Sequence, residues 1–160
     1  RKIFSMKKKT IHMSYCGMEL PFKLYSFKYI WDELNKNKNL FGSIVQVNDA
    51  DNKKITKCCN LEQHTRFFTY IKFCIYDGKR YGIVGGKTNY TAPDIRFDKL
   101  NNLTKKDNRY ARNFLRQKDI EWDKTIIIVN HKPTNSDEED NQAALFLECY
   151  LQRKFNLFES

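Results

Sequence analysis

The sequence predicts an α+β domain in which a small antiparallel sheet is flanked by helices. Three observations predict this class. Two β-rich runs, 67–76 and 79–86, surround an Asp-Gly pair. The β-branched run 124–130 has the length of a buried strand, and the stretches 106–118 and 137–155 read as helices. The core is therefore expected to follow the order β-β-α-β-α.

An N-terminal extension, residues 1–66, is expected to precede this core at 67–160, and the chain length suits a single domain. The extension opens with a basic arm or edge strand over 1–23. Residues 24–36 place apolar side chains at helical spacing and predict an amphipathic helix. Residues 43–60 suggest a hairpin around a polar turn.

The core hairpin can be given a register from its turn. The Asp-Gly pair at 77–78 is typical of a type I′ turn, which needs positive φ at both positions. That turn predicts Tyr70 opposite Gly85 and Cys74 opposite Tyr81. One face, rich in tyrosine and lysine, then carries Tyr70, Lys72, Cys74, Tyr76, Lys79, Tyr81, Ile83, Gly85 and Lys87. The other face, an expected core face, carries Ile71, Phe73, Ile75, Val84 and Gly86.

Tyrosine and lysine on one strand face that ends in glycine suit a place where a phosphate backbone comes close, because glycine leaves room. The same pattern fits an amphipathic hairpin whose outer face is merely polar. Gly86-Lys87-Thr88 also resembles a nucleotide-binding P-loop. That motif needs four residues between its glycines, whereas Gly82 and Gly86 have three between them, so we reject this interpretation.

The chain carries 29 Lys and Arg against 19 Asp and Glu, a net charge of +10. Such an excess favours partners with phosphate backbones, since neutralising phosphates releases counterions; a solvated lysine-rich surface is the alternative explanation. Five cysteines without a Cys-x-x-Cys spacing and three separated histidines argue against a disulfide framework and a structural zinc. No apolar run approaches the ~18 residues of a membrane span. No signal peptide is visible, so the cytoplasm is the expected location.

The last predicted helix carries one carboxylate beside its apolar stripe. Ser136, with Glu139 three residues later, resembles a capping box that begins this helix. Leu147 and Leu151 belong to the stripe, and Glu148 lies in or beside it. A carboxylate in that place must either pair with a lysine or arginine or bind a cation, because burial of a lone charge is costly.

These residues together resemble the GIY-YIG nuclease superfamily, whose core is a β-β-α-β-α unit. Tyr70 matches the tyrosine of the family's first hairpin strand. The segment 84–88 (Val-Gly-Gly-Lys-Thr) resembles the Tyr-Ile-Gly-Lys-Thr form of the second strand. Arg96 follows at the spacing of the family arginine, and Glu148 falls where the family has a metal-binding glutamate. The resemblance covers residues 67–158.

The resemblance implies hydrolysis of DNA phosphodiester bonds by an endonuclease that needs one divalent cation, Mg²⁺ being the first choice. Glu148 would hold the metal. Tyr70, deprotonated in concert with its neighbours or relaying its proton to Lys87, would activate water. Arg96 would neutralise charge that develops on the scissile phosphate. Tyr81 would position the water or the phosphate.

Further basic side chains are expected to contact the DNA backbone. Arg109, Arg112 and Arg116 form one stripe on the helix predicted over 106–118, unless that stripe is a solvated face paired with nearby acids. Lys72 is expected to contribute from the hairpin. Arg109 and Arg112 also remain alternatives to Arg96 as the catalytic arginine.

The N-terminal extension would read sequence or form a homodimer. A small nuclease with such an addition fits a restriction endonuclease by analogy. A non-catalytic nucleic-acid-binding or regulatory module explains the charge and the stripe equally well. A protein-interaction domain is a third class, and it predicts no salt-dependent affinity for DNA.

Overall fold

The computed structural model of the chain describes residues 7–48, 67–88, 100–101 and 109–160. It confirms the α+β class. The strands are β1 (Lys8–Tyr15), β2 (Met18–Tyr25), β3 (Ser43–Asn48), β4 (Thr69–Tyr76), β5 (Lys79–Lys87), β6 (Glu121–Asn130) and β7 (Phe158–Glu159). Across the described residues the helices are α1 (Phe27–Lys36), α2 (Arg109–Lys118) and α3 (Asp137–Lys154), with a 3₁₀ turn at Lys38–Leu40. None of these helices is long and apolar enough to cross a membrane.

The main sheet has five strands in the order β3-β6-β4-β5-β7. Neighbouring strands are antiparallel, except that β5 and β7 run parallel over two residue pairs. Strand β6 lies inside the sheet, and its residues 126–129 are fully buried. This position explains the continuous β-branched run, because a strand covered on both faces needs apolar side chains on each. The strand predicted over 124–130 is confirmed and begins earlier, at Glu121.

Helices and a ribbon cover the two faces of the sheet. Helices α1 and α3 pack on one face, in a cluster that includes Ile30, Leu34, Ile71, Phe73, Ile127, Leu147 and Leu151. Helix α2 and the β1–β2 ribbon pack on the other, in a cluster that includes Leu24, Cys74, Tyr81, Val84, Ala111 and Phe114. The β4–β5 hairpin is therefore enclosed between two layers, and its expected polar outer face is largely buried.

The N-terminal extension forms a two-stranded antiparallel ribbon, β1–β2, where an arm or a single edge strand was expected. Its turn is at Cys16 and Gly17, both of which have positive φ (48° and 77°). The helix predicted over 24–36 is confirmed but starts later, at Phe27. Ser26 begins it, because the Ser26 side chain accepts a hydrogen bond from the Tyr29 backbone N–H (3.1 Å).

Only the first part of the hairpin expected over 43–60 falls within the described residues. That part is β3, and it pairs with β6. Its partner strand therefore lies far away in sequence. The remainder of the expected hairpin, together with Arg96, lies outside the residues that the structure describes.

The register predicted for the β4–β5 hairpin is right near the turn. Cys74 faces Tyr81, and positive φ at Asp77 (55°) and Gly78 (76°) agrees with the type I′ turn. Local turn chemistry thus fixes the first pairs of the hairpin.

Further from the turn the predicted register is wrong. The pairing shifts by one residue between Lys72 and Phe73, so that Tyr70 faces Gly86 instead of Gly85. Strand β5 accommodates the shift with one extra residue, Ile83. A bulge of this kind turns every later side chain of its strand to the other face of the sheet.

The bulge separates Tyr70 from Lys87, which were expected on one face. Lys87 faces Thr69, and the Thr69 hydroxyl donates a hydrogen bond to the Ala144 carbonyl of α3 (3.2 Å). Directly opposed residues point to the same side of a sheet. Lys87 therefore lies on the α3 side, and Tyr70 lies on the α2 side.

Helix α3 begins as predicted. The Ser136 side chain accepts a hydrogen bond from the Glu139 backbone N–H (3.1 Å). Asp140, in the same first turn, is buried and accepts from the Thr134 backbone N–H (2.9 Å), the Thr134 hydroxyl (2.7 Å) and His131 Nε2 (3.0 Å). Burial alone would raise the pKa of Asp140, but these hydrogen bonds outweigh it and hold the pKa below its ordinary value of 3.8.

Asp140→Asn is expected to lower the free energy of unfolding by about 1–3 kcal/mol at pH 7, because the three donors lose a charged acceptor. Since the pKa of Asp140 is lowered, its stabilisation is present above pH 3.8 and is lost as the pH falls below that value. Urea denaturation at pH 7 and in acid measures both effects. Asp137→Asn, an exposed change in the same turn, is the control and should cost less than about 1 kcal/mol. Equal losses in the two variants would contradict this role.

Candidate functional site at the end of the hairpin

Tyr70 lies at the end of the β4–β5 hairpin that is far from the turn. The side chain is buried, and the phenol end of its ring lies close to Gly86. A Cβ built on Gly86 would be 2.5 Å from the Tyr70 hydroxyl oxygen and 2.8 Å from Cβ of Ser160. Glycine is therefore required here for a close approach, and the phenol hydroxyl sits at the rim of the sheet beside Ser160.

Glu148 reaches the same strand end from α3, on the other face of the sheet. Its side chain is half-buried and lies beside Lys87, the residue that follows Gly86. Burial raises the pKa of Glu148; the charge of Lys87 and a hydrogen bond from the Lys87 backbone lower it, and the charge of Glu159 raises it again. The net effect is a pKa above the ordinary value of 4.5.

Gln152, one helical turn after Glu148, fixes α3 to the same strand. Its side-chain amide donates a hydrogen bond to the Gly85 carbonyl (2.7 Å). Gln152 thus bonds the backbone of Gly85, and Glu148 lies beside the backbone of Lys87, along the edge of β5. The sequence reasoning missed Gln152, although its spacing of four from Glu148 is a usable signal, since such residues share one face of a helix.

Glu148 and Glu159 are the acidic groups that could hold a cation here. Glu159 lies on β7, where it faces Gly85, and its charge acts on Glu148. Mg²⁺ commonly binds through one or two carboxylates and completes its shell with waters and substrate phosphates. The pair suits that mode. A denser cage is absent from the described residues, which contain no group of three or more His, Cys, Asp and Glu placed to bind a metal.

Lys72 is buried, contrary to the expectation that it contacts the DNA backbone. Its ammonium nitrogen lies 5.0 Å from the ring centroid of Tyr70 and 5.9 Å from that of Trp122. Both distances are within the range of cation–π attraction. The bulge leaves Lys72 and Tyr70 on one face, so Lys72 is the lysine next to the phenol, in the place expected of Lys87.

Tyr81 does not lie near Tyr70 and Lys72. It faces Cys74, four residues along β4 from Tyr70, which corresponds to about 13 Å at the rise of a strand. Burial raises the pKa of Tyr81, and the negative charge of Asp77 adds to the increase. Tyr81 is therefore a core side chain near the turn, and the expectation that it positions water or phosphate is wrong.

Cys74, on the same face, cannot serve as a nucleophile either. Burial raises the pKa of its thiol to about 12, with a smaller increase from the charge of Asp123. Since the thiolate is the reactive form, the Cys74 side chain is inert near neutral pH.

The arginines of α2 differ in their surroundings. Arg109 and Arg116 are exposed, and the Arg109 guanidinium donates a hydrogen bond to the Tyr110 hydroxyl (2.9 Å). Arg112 is half-buried, with its Nε atom enclosed. Helix α2 packs on the same face of the sheet as Tyr70, against Cys74 and Val84, so Arg112 is a half-buried arginine of that face. Its alternative, Arg96, lies outside the described residues.

Comparisons of the chain with protein-family models, with curated proteins and with solved structures find no match. The GIY-YIG resemblance therefore depends on the residues and element order quoted above. The contacts around Tyr70 and Glu148 supply the functional argument that follows.

Gly86→Ala is expected to lower the free energy of unfolding by about 1–3 kcal/mol, because the new methyl group would collide with the Tyr70 ring. Tyr70→Ala removes that ring, so the glycine substitution should cost less in the Tyr70→Ala background. A double-mutant cycle in urea measures the difference. Strictly additive costs would show that the phenol does not rest on Gly86.

Proposed function

We propose that this chain is a metal-dependent endonuclease that hydrolyses phosphodiester bonds in DNA. The observation that carries the proposal is that a phenol and a carboxylate lie at the same end of β5, on opposite faces of the sheet: Tyr70 contacts Gly86, and Glu148 lies beside Lys87, the next residue. A proton acceptor and a metal-binding carboxylate are two groups that metal-assisted hydrolysis requires. The net charge of +10 favours a polyanionic substrate.

Tyr70 is the group that accepts a proton from the attacking water. The ring is held by Gly86 on one side, so its hydroxyl has a defined position at the rim of the sheet. The ammonium group of Lys72 lies beside that ring.

Glu148 is the residue that would hold the divalent cation, with Glu159 beside it. A divalent cation held there would supply polarisation of the phosphoryl group and stabilisation of the leaving oxygen. Without a cation, burial raises the energy of the charged form of Glu148 most and the charge of Glu159 adds a little, while the charge and backbone of Lys87 only partly compensate, so the pKa of Glu148 stays raised. A carboxylate with a raised pKa in such surroundings is a recognised mark of a functional site.

An arginine is needed to stabilise the charge that develops on the scissile phosphate. Arg112 fits this role because α2 carries it to the Tyr70 side of the sheet, and a guanidinium can bond two phosphate oxygens at once. Arg96 remains the alternative. Arg109 and Arg116, which are exposed on α2, would contact the DNA backbone further from the reacting group.

A non-catalytic nucleic-acid-binding module is the second candidate, and one observation favours it. Lys72 and Tyr70 are almost completely enclosed, at 2% and 5% exposure, as structural side chains of a core would be. Exposed arginines and the net charge would then account for binding without cleavage.

Purified protein is expected to nick supercoiled plasmid DNA in the presence of Mg²⁺ and to lose that activity on addition of EDTA. Glu148→Gln should reduce the rate at least about 100-fold, because the cation loses its charged ligand. Tyr70→Phe should reduce it by about 10²–10⁴-fold, the usual contribution of a proton acceptor. Gel electrophoresis of nicked and linear products measures each rate.

Glu121→Gln, an exposed substitution of the same type on β6, is the control and should cleave like the wild type. DNA affinity, measured by fluorescence anisotropy, should be similar in all these variants. Wild-type protein that binds DNA but leaves it intact with Mg²⁺, Mn²⁺ and Ca²⁺ alike would favour the non-catalytic module.

A further inference from the structure

Helix α3 carries an exposed stripe that the described residues of the chain leave uncovered. The stripe runs the length of the helix at a helical repeat and consists of Glu138, Gln142, Leu145, Phe146, Cys149 and Arg153. Its middle is apolar, since Leu145 is 43% exposed and Phe146 is 76% exposed. Single exposed apolar residues are common, whereas a contiguous patch of them marks an interaction surface.

The apolar middle of the stripe continues into a groove between α3 and the 3₁₀ turn Lys38–Leu40. The groove has a volume of about 350 Å³, and its lining is almost entirely apolar. Leu40, 62% exposed, and Phe146 stand at its sides, and Phe41 and Leu147 contribute to its floor. An aromatic ring from another molecule would fit a space of this size and character.

The residues of the stripe are spaced symmetrically about the middle of the helix, with an acid at one end and a base at the other. The midpoint of α3 (Asp137–Lys154) falls between Leu145 and Phe146. Glu138 and Arg153 are equally far from that midpoint, and so are Gln142 and Cys149. The first turn of the helix is acidic and the last turn is basic. Two antiparallel copies would therefore place acid opposite base at both ends and apolar side chains together in the middle.

We infer that this surface binds a second copy of the chain, with the two α3 helices antiparallel about a two-fold axis at Leu145 and Phe146. Each Glu138 then faces the Arg153 of its partner, and the two Phe146 rings meet beside the two grooves. Antiparallel helix dipoles favour the same arrangement. A parallel pairing would bring like charges together, and it is disfavoured for that reason.

Arg153 is the basic side chain of the last turn that is available for this contact. The other one, Lys154, already pairs with Glu33 of its own chain (3.5 Å). A contact formed by one helix and its flanking turn is small for a protein interface, so the dimer should be weak and concentration-dependent. The inference does not depend on nuclease activity, because it uses neither Tyr70 nor Glu148.

Sedimentation velocity of the full chain over roughly 1–200 μM tests the pairing, and a reversible monomer–dimer equilibrium is expected. Phe146→Ser should weaken the dimer at least about tenfold by removing the central apolar contact. Glu138→Arg and Arg153→Glu should each weaken it, because each places two pairs of like charges across the axis.

The two charge variants provide a matched control for one another. Mixed in equal amounts, Glu138→Arg and Arg153→Glu should form a heterodimer with near wild-type affinity, since every opposed pair is again of opposite sign. The double variant should also recover the dimer. Circular dichroism checks that α3 remains folded in each protein.

A monomer at every concentration would overturn the inference, whatever else the patch binds. A dimer that tolerates Phe146→Ser and both charge variants would show that a different surface mediates association. A mixture of the charge variants that stays as weak as either variant alone would rule out the antiparallel arrangement.

Discussion

The edge of strand β5 is the constraint around which this molecule is arranged. An edge strand presents backbone N–H and C=O groups that must find partners. Strand β7 supplies partners over only two residue pairs. Side chains of α3 extend the coverage: Gln152 bonds the Gly85 carbonyl, and Glu148 lies close enough to the Lys87 backbone for that backbone to lower its pKa. Helix, sheet and C-terminal segment are thereby fixed to one another at a single place.

The same contacts place the Glu148 carboxylate where its charged form is destabilised. A half-buried carboxylate beside a second acid is less stable than a neutral side chain of the same shape would be, and its raised pKa expresses that cost. An amide would bond the Lys87 backbone equally well, so edge coverage alone does not require the charge of Glu148. Binding of a cation would explain why Glu148 carries a charge. Proteins often keep such destabilising groups where function needs them.

Local signals were sufficient to predict much of the fold but not the arrangement of the site. The Ser136 cap and the type I′ turn were predicted because each depends on a few adjacent residues. The bulge at Ile83 could not be predicted, because tertiary packing accompanies it: a Cβ on neighbouring Gly82 would lie 2.6 Å from Ile30 and 3.1 Å from Leu157. That one shift moved Lys87 to the other face of the sheet and left Lys72, which was expected on the Tyr70 face, as the lysine beside the phenol. Buried Asp140 was missed, although it continues the apolar stripe of α3.

The dependence of stability on pH and Mg²⁺ tests the central claim about Glu148 most directly. Because the pKa of Glu148 is raised on folding, the free energy of unfolding of the wild type falls as the pH rises from 4.5 through the folded pKa. Glu148→Gln does not ionise, so it should become progressively more stable than the wild type over that range. Added Mg²⁺ should stabilise the wild type and narrow the gap, with little effect on Glu148→Gln. Thermal melting measures both. A gap that changes with neither pH nor Mg²⁺ would contradict the account.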